Sequence, residues 1–128
     1  MTDEGAGPPV RVVRLLKRAE FLAAARGARW NTPAFLLQCV ERGAPRDEEV
    51  AGVGFTATRK LGSAVIRNRA KRRLREAVRL AAHEVASPGR DYVLVARTPV
   101  LKCPFDKLLE DVRQSFAGAE RKLRKSRA

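Results

Sequence analysis

The sequence has 128 residues, enough for one domain that buries roughly two-thirds of the surface its unfolded chain would expose. Hydrophobic residues make up 45% and aromatic residues only 5%, so the core is expected to be mainly aliphatic and no aromatic cage for a cofactor is suggested. Lys and Arg number 27 against 14 Asp and Glu, a formal charge of +13 that exceeds the needs of solubility and points to a polyanion, nucleic acid first, while the lack of a long apolar span argues against a membrane protein.

Residues 1–10, with Asp3 and Glu4 followed by Gly and Pro, read as a disordered leader without the apolar centre of a secretory signal, which suits a cytoplasmic protein. Val12, Leu15, Leu16, Ala19, Leu22 and Ala23 recur at helical spacing and predict a first amphipathic helix from Val12 to Ala25, with Arg14, Lys17 and Arg18 on its other faces and Gly27 closing it. Trp30 to Pro33 then reads as a connector, Ala34 to Val40 as a strand, and the acidic stretch from Glu41 to Glu49 as a solvated turn. Val50 to Thr58 predicts a second strand, paired with the first in a hairpin, whose Gly52 and Gly54 allow a bulge or a close approach of backbone.

After Leu61-Gly62-Ser63 the period changes, and Ile66, Ala70, Leu74, Ala77, Val78, Ala81 and Val85 mark a second helix that Ser87-Pro88-Gly89 stops. Tyr92 to Ala96 is almost wholly apolar, as in a sheet interior, and Pro104 precedes a third helix built on Phe105, Leu108, Leu109, Val112, Phe116 and Leu123. The expected fold is an α/β two-layer sandwich of helix, strand, strand, helix, strand, helix order on a small mixed sheet, with room for an extra strand. It occupies residues 11–120 as a single domain and leaves 121–128 as a basic tail. Cys39 and Cys103 lack metal-ligand spacing and read as structural thiols.

Between Arg59 and Arg79 there are nine cations, Arg59, Lys60, Arg67, Arg69, Lys71, Arg72, Arg73, Arg75 and Arg79, against the single acid Glu76. Like charges three or four apart weaken a helix by about 0.2–0.5 kcal/mol per pair, a repulsion that a polyanion relieves. At about 100° per residue Asn68, Lys71, Arg72, Arg75 and Arg79 share one broad side, opposite the apolar stripe. An ordinary solvated face would mix Lys with Glu; the missing acids and the excess of Arg, whose planar fork suits phosphate, favour recognition instead. Asn68 fits either a local cap or a hydrogen bond to RNA.

The run Gly62-Ser63-Ala64-Val65-Ile66-Arg67-Asn68-Arg69-Ala70-Lys71-Arg72-Arg73-Leu74-Arg75-Glu76 resembles the signature of the bacterial ribonuclease P protein component. Arg59-Lys60-Leu61-Gly62 before it, Val53-Gly54-Phe55 upstream and Asp91 to Arg97 downstream are similar to that family in order and spacing, and the likeness covers roughly Leu15 to Phe116. The resemblance implies a small basic subunit of the ribonucleoprotein that removes 5′ leaders from precursor tRNA, with an unusual left-handed β-α-β crossover. It further implies that the RNA subunit performs the hydrolysis with bound Mg²⁺, and that the protein contacts this RNA through the Arg67-Asn68-Arg69 helix and needs no obligate protein partner.

A cleft beside the sheet would then hold the leader, with Arg14, Lys17, Phe21 and Phe35 as its residues. Ala25 and Gln38 stand where the family often has aromatics, which thins the stacking platform; each lost stack is worth about 1–3 kcal/mol per base. For Phe21 and Phe35 the competing reading is ordinary core packing.

Protein-borne catalysis finds little support. His83 is the only histidine and has no convergent partner, and adjacent Asp47, Glu48 and Glu49 do not form a rigid octahedral site. Gly52-Val53-Gly54 lacks the Gly-Lys-Ser/Thr of a phosphate loop. Neither a catalytic residue nor a protein metal site is assigned. A structural RNA-binding protein, such as a ribosomal component, and a stand-alone nuclease remain the alternatives.

Overall fold

Val12 and Val13 are β-branched, and in the computed structural model, which describes residues 11–41 and 50–127, they belong to an edge strand instead of opening a helix. The side chains of residues 82, 83, 126 and 127 are outside that description. Strand β1 (Arg11–Arg14) pairs in parallel with β4, and only then does α1 (Arg18–Ala25) begin. The expected helix over Val12 to Ala25 is thus shortened at its front. Its start is set by Glu20, whose carboxylate accepts the backbone N–H groups of Leu16 and Lys17 at 3.2 and 3.0 Å.

The expected connector at Trp30 is also a strand. β2 (Ala28–Asn31) forms an antiparallel hairpin with β3 (Phe35–Glu41), Trp30 opposite Leu37. The turn is held by Thr32, whose hydroxyl donates to the Phe35 carbonyl at 2.8 Å and accepts the Phe35 N–H at 3.0 Å. These two strands extend the three read from sequence to a five-stranded sheet of order β1-β4-β5-β3-β2.

The expected hairpin of β3 with β4 (Val50–Thr56) does not form, because β5 (Arg90–Ala96) lies between them, antiparallel to β3 and parallel to β4. β5 is apolar on both faces and suits the centre, where each face is covered. The acidic turn lies mostly at 42–49, outside the described residues.

Helix α2 (Ala64–Val85) connects β4 to β5, and α3 (Phe105–Arg127) closes the chain. Both lie on one face of the sheet. Ala70, Leu74, Ala77, Val78 and Ala81 of α2 meet Leu108, Val112 and Phe116 of α3 above Phe35, Leu37, Val53, Tyr92 and Leu94. Tyr92 stacks on Phe116 at 4.3 Å between ring centroids, and its hydroxyl accepts the Ser87 N–H at 2.8 Å. The expected basic tail continues α3 through Arg127, and Lys122 donates to the Arg29 carbonyl at 2.7 Å while its ammonium sits 5.3 Å from the Trp30 ring centroid.

A buried ion pair ties the start of β5 to α3. Arg90 donates to both carboxylate oxygens of Glu120 at 3.0 Å, and Arg124 adds a bond at 2.9 Å. Burial alone would raise the Glu120 carboxyl, but hydrogen bonds from Arg90 and Arg124 outweigh it and hold the group below the ordinary carboxylate range. Cys39 nearby is enclosed, and burial pushes its thiol up to about 12, which leaves it a packing residue. Among the described residues no helix is long and apolar enough to cross a membrane.

Candidate nucleic-acid interface

Gly62 has φ of +146°, a conformation that side chains rarely adopt, and it turns the chain from the 3-10 turn at Arg59–Leu61 into α2. Ser63 then caps the helix, its hydroxyl accepting the Ile66 N–H at 3.3 Å and its carbonyl the Arg67 N–H at 2.9 Å. With Ser63 as the cap, Asn68 is free of that role and stands exposed in the second turn. No acid occupies the first turn, so the positive end of the helix dipole adds to the arginines.

The cations divide by angle around α2. Asn68, Arg72 and Arg79 point outward and are exposed, Arg79 being paired with Glu76 one turn back. Arg67, Lys71 and Arg75 are half-buried on the flank nearer β4, and the Nε atoms of Arg67 and Arg75 are buried without a hydrogen-bond partner. Arg75 lies over the Phe55 ring at 5.7 Å. On the opposite flank Arg69 is exposed, whereas Arg73 donates to the Val100 carbonyl at 2.9 Å and covers Phe105 at 5.7 Å. Arg73 is therefore partly a structural residue, fastening α2 to the segment before α3. Arg59 and Lys60 are exposed just ahead of the helix, continuing the positive strip.

The leader-cleft residues do not stay together. Phe21 reaches the sheet face opposite α2, half-buried with Leu15, Ala24 and Val93, and its ring lies so close to Gly54 that a Cβ there would come within 2.6 Å. Gly52 likewise makes room for Leu15, whose Cδ2 would lie 2.5 Å from such an atom. The Gly52-Val53-Gly54 motif thus serves close approach, not a bulge. Lys17 is exposed at the start of α1.

Phe35, however, has no exposed surface and belongs to the core beneath α2 and α3, because it shares the strand face of Leu37 and Cys39. It offers no ring to a leader. Arg14 shares the strand face of Val12 and lines a cavity with Arg75 and Arg79, on the α2 side of the sheet. Beyond Phe21, the α1 face continues through half-buried Leu36, Val95 and Thr56, with Gln38 buried beside Val93. Arg97, not singled out by charge pattern, stands near the end of this row and donates to Asn31 Oδ1 at 2.6 Å. Only the pairing of β2, β3 and β5 brings it there.

Among the described residues no three His, Cys, Asp or Glu side chains converge as a metal site. The side chain of His83 and the residues Asp47, Glu48 and Glu49 lie outside the described set.

A profile of the family described as Ribonuclease P matches residues 10–120. The chain is 43% identical over 118 residues to the ribonuclease P protein component of Brucella suis, covering 88% of this chain and 84% of that one. With the protein of the same description from Ruegeria pomeroyi it shares 47% over 103 residues, 80% and 82% of the two chains. Its fold is similar to the RNase P proteins of Staphylococcus aureus (TM-score 0.62, 23% identity, 80% and 90% covered) and Thermotoga maritima (TM-score 0.62, 24% identity, 79% and 92% covered).

Proposed function

Because the chain belongs to the ribonuclease P protein family, a family of tRNA processing, we propose that it is the RNA-binding subunit of a ribonucleoprotein that cleaves 5′ leaders from precursor tRNA in the cytoplasm. The observation that carries this reading is the acid-poor face of α2. The Nε donors of Arg67 and Arg75 lack partners among the described residues, and the repulsion among the cations falls when phosphates approach. In this reading Arg59, Lys60, Arg67, Asn68, Arg69, Lys71, Arg72, Arg73, Arg75 and Arg79 dock the catalytic RNA. The opposite sheet face, with Phe21 and Lys17, receives the single-stranded leader.

Hydrolysis belongs to the RNA subunit, with Mg²⁺ held mainly between RNA phosphates; the described side chains offer that ion no converging carboxylates. The protein's part is electrostatic and geometric: it lowers repulsion between two polyanions and fixes the leader beside the scissile bond.

Reconstitution tests this directly. Stoichiometric protein is expected to lower the Mg²⁺ and salt that a bacterial RNase P RNA needs to cleave a leader-bearing precursor. If the protein leaves both requirements unchanged, the assignment fails, and cleavage by nuclease-treated protein alone would favour a stand-alone nuclease.

Phe21→Ala should raise KM for precursor tRNA while leaving affinity for mature tRNA nearly unchanged, by about tenfold if one base stack is lost. An equal loss for both substrates would place Phe21 in the α1 packing alone.

A further inference from the structure

A cavity of about 270 Å³ lies between the β1 edge of the sheet and α2, on the side of the sheet opposite the Phe21 face, and meets the outward stripe of α2 at Arg79. Val12, Val53 and Val78 make its walls apolar, Phe55 gives it an aromatic side, and Arg14 and Arg75 supply charge. We propose that this cavity receives one unstacked nucleotide of a bound RNA, its base against Phe55 and the valines and its phosphate on Arg14; the proposal rests on the RNA-binding reading above.

Four features argue for that occupant. The volume falls just under the range of about 300–1,000 Å³ for drug-sized sites and suits a single nucleotide better than a cofactor. The lining pairs a π-face and apolar walls with cations, the combination that takes a base and its phosphate together, and only an unpaired base presents its face for stacking.

Arg75 lies 5.7 Å over Phe55 with its Nε buried and without a hydrogen-bond partner among the described residues, so a phosphate that drew the guanidinium outward would both satisfy this donor and uncover the ring. Arg79 also lines the cavity but is held by Glu76, so Arg14, exposed at the end of β1, is the arginine best placed for phosphate. β1 pairs only with β4 among the described residues, which leaves the backbone groups along its outer edge available to the base edge.

The test follows the methyl resonances of Val12, Val53 and Val78 in the full chain during titration with adenosine 5′-monophosphate or ribose 5-phosphate. The nucleotide is expected to shift all three and the sugar phosphate to need at least tenfold more ligand. A single-stranded RNA should then displace the mononucleotide. Equal responses to both ligands, or none, would overturn the proposal, as would a bound mononucleotide that RNA cannot displace, which would make this a free-nucleotide site.

Phe55→Leu keeps an apolar wall without the π-face and should weaken nucleotide binding about tenfold. Arg14→Gln, at an exposed strand end, should do the same through the phosphate and keeps the test decisive if Phe55→Leu fails to fold. Unchanged affinity in Arg14→Gln would remove the phosphate assignment and the proposal with it. A chain that binds no RNA fails both this reading and the proposed function, whereas one that binds RNA with silent valine methyls fails this reading alone.

Discussion

Replacing Arg67 and Arg72 together with Ala is expected to weaken binding to the catalytic RNA by at least roughly 100-fold, taking one hydrogen bond per arginine at the lower end of about 1.5–3 kcal/mol for a bond to a charged group. Arg72 stands exposed in the outward stripe, and Arg67 is half-buried with its Nε unpaired one turn earlier. Neither side chain donates to an acceptor among the described residues. Each lost phosphate contact should also reduce the dependence of log K on log salt by about 0.7–0.9, so the double variant should lose roughly twice that. Affinity measured across a salt series checks both numbers, and a slope equal to the parent's would argue that these arginines do not touch phosphate. Arg73→Ala makes an informative contrast, because losing its bond to the Val100 carbonyl should lower the melting temperature as well as the affinity.

Glu120→Ala should destabilise the fold by about 3 kcal/mol, since it removes the bidentate carboxylate while the Arg90 charge stays buried. The lower end of the expected range applies because Glu41 lies 3.8 Å from the same guanidinium. The effect also has a sign in pH. The Glu120 carboxyl is depressed in the folded state, so its contribution is full above the unfolded value of about 4.3 and is lost as pH falls through the lower native value. Denaturant unfolding between neutral and acid pH should show the variant and parent converging at low pH. A loss below about 1 kcal/mol at neutral pH would mean that solvent screens the pair as at a surface.

The candidate site was more legible than the fold that carries it. The acid-poor stripe of α2 could be read at helical spacing because its period and charge are local, and Gly62-Ser63 announced the helix start for the same reason. The cleft was read less well. Phe21 packs on the α1 face of the sheet, whereas Phe35 and Arg14, grouped with it by likeness, are sent by strand alternation to the other face. The cavity beside Arg75 left no linear signal, since Val12, Phe55 and Val78 come from three separate elements.

Charge balance, the apolar stripe of α2 and the flanking motifs by themselves determined an α/β domain with an arginine-rich, acid-poor helix. They did so because helix period, capping and charge depend on residues a few positions apart. Tertiary structure alone decided that Arg11–Arg14 and Ala28–Asn31 become edge strands and that β5 separates β3 from β4. Short segments such as these have too few residues to impose a period, and their conformation is chosen by the neighbour whose backbone hydrogen bonds they complete.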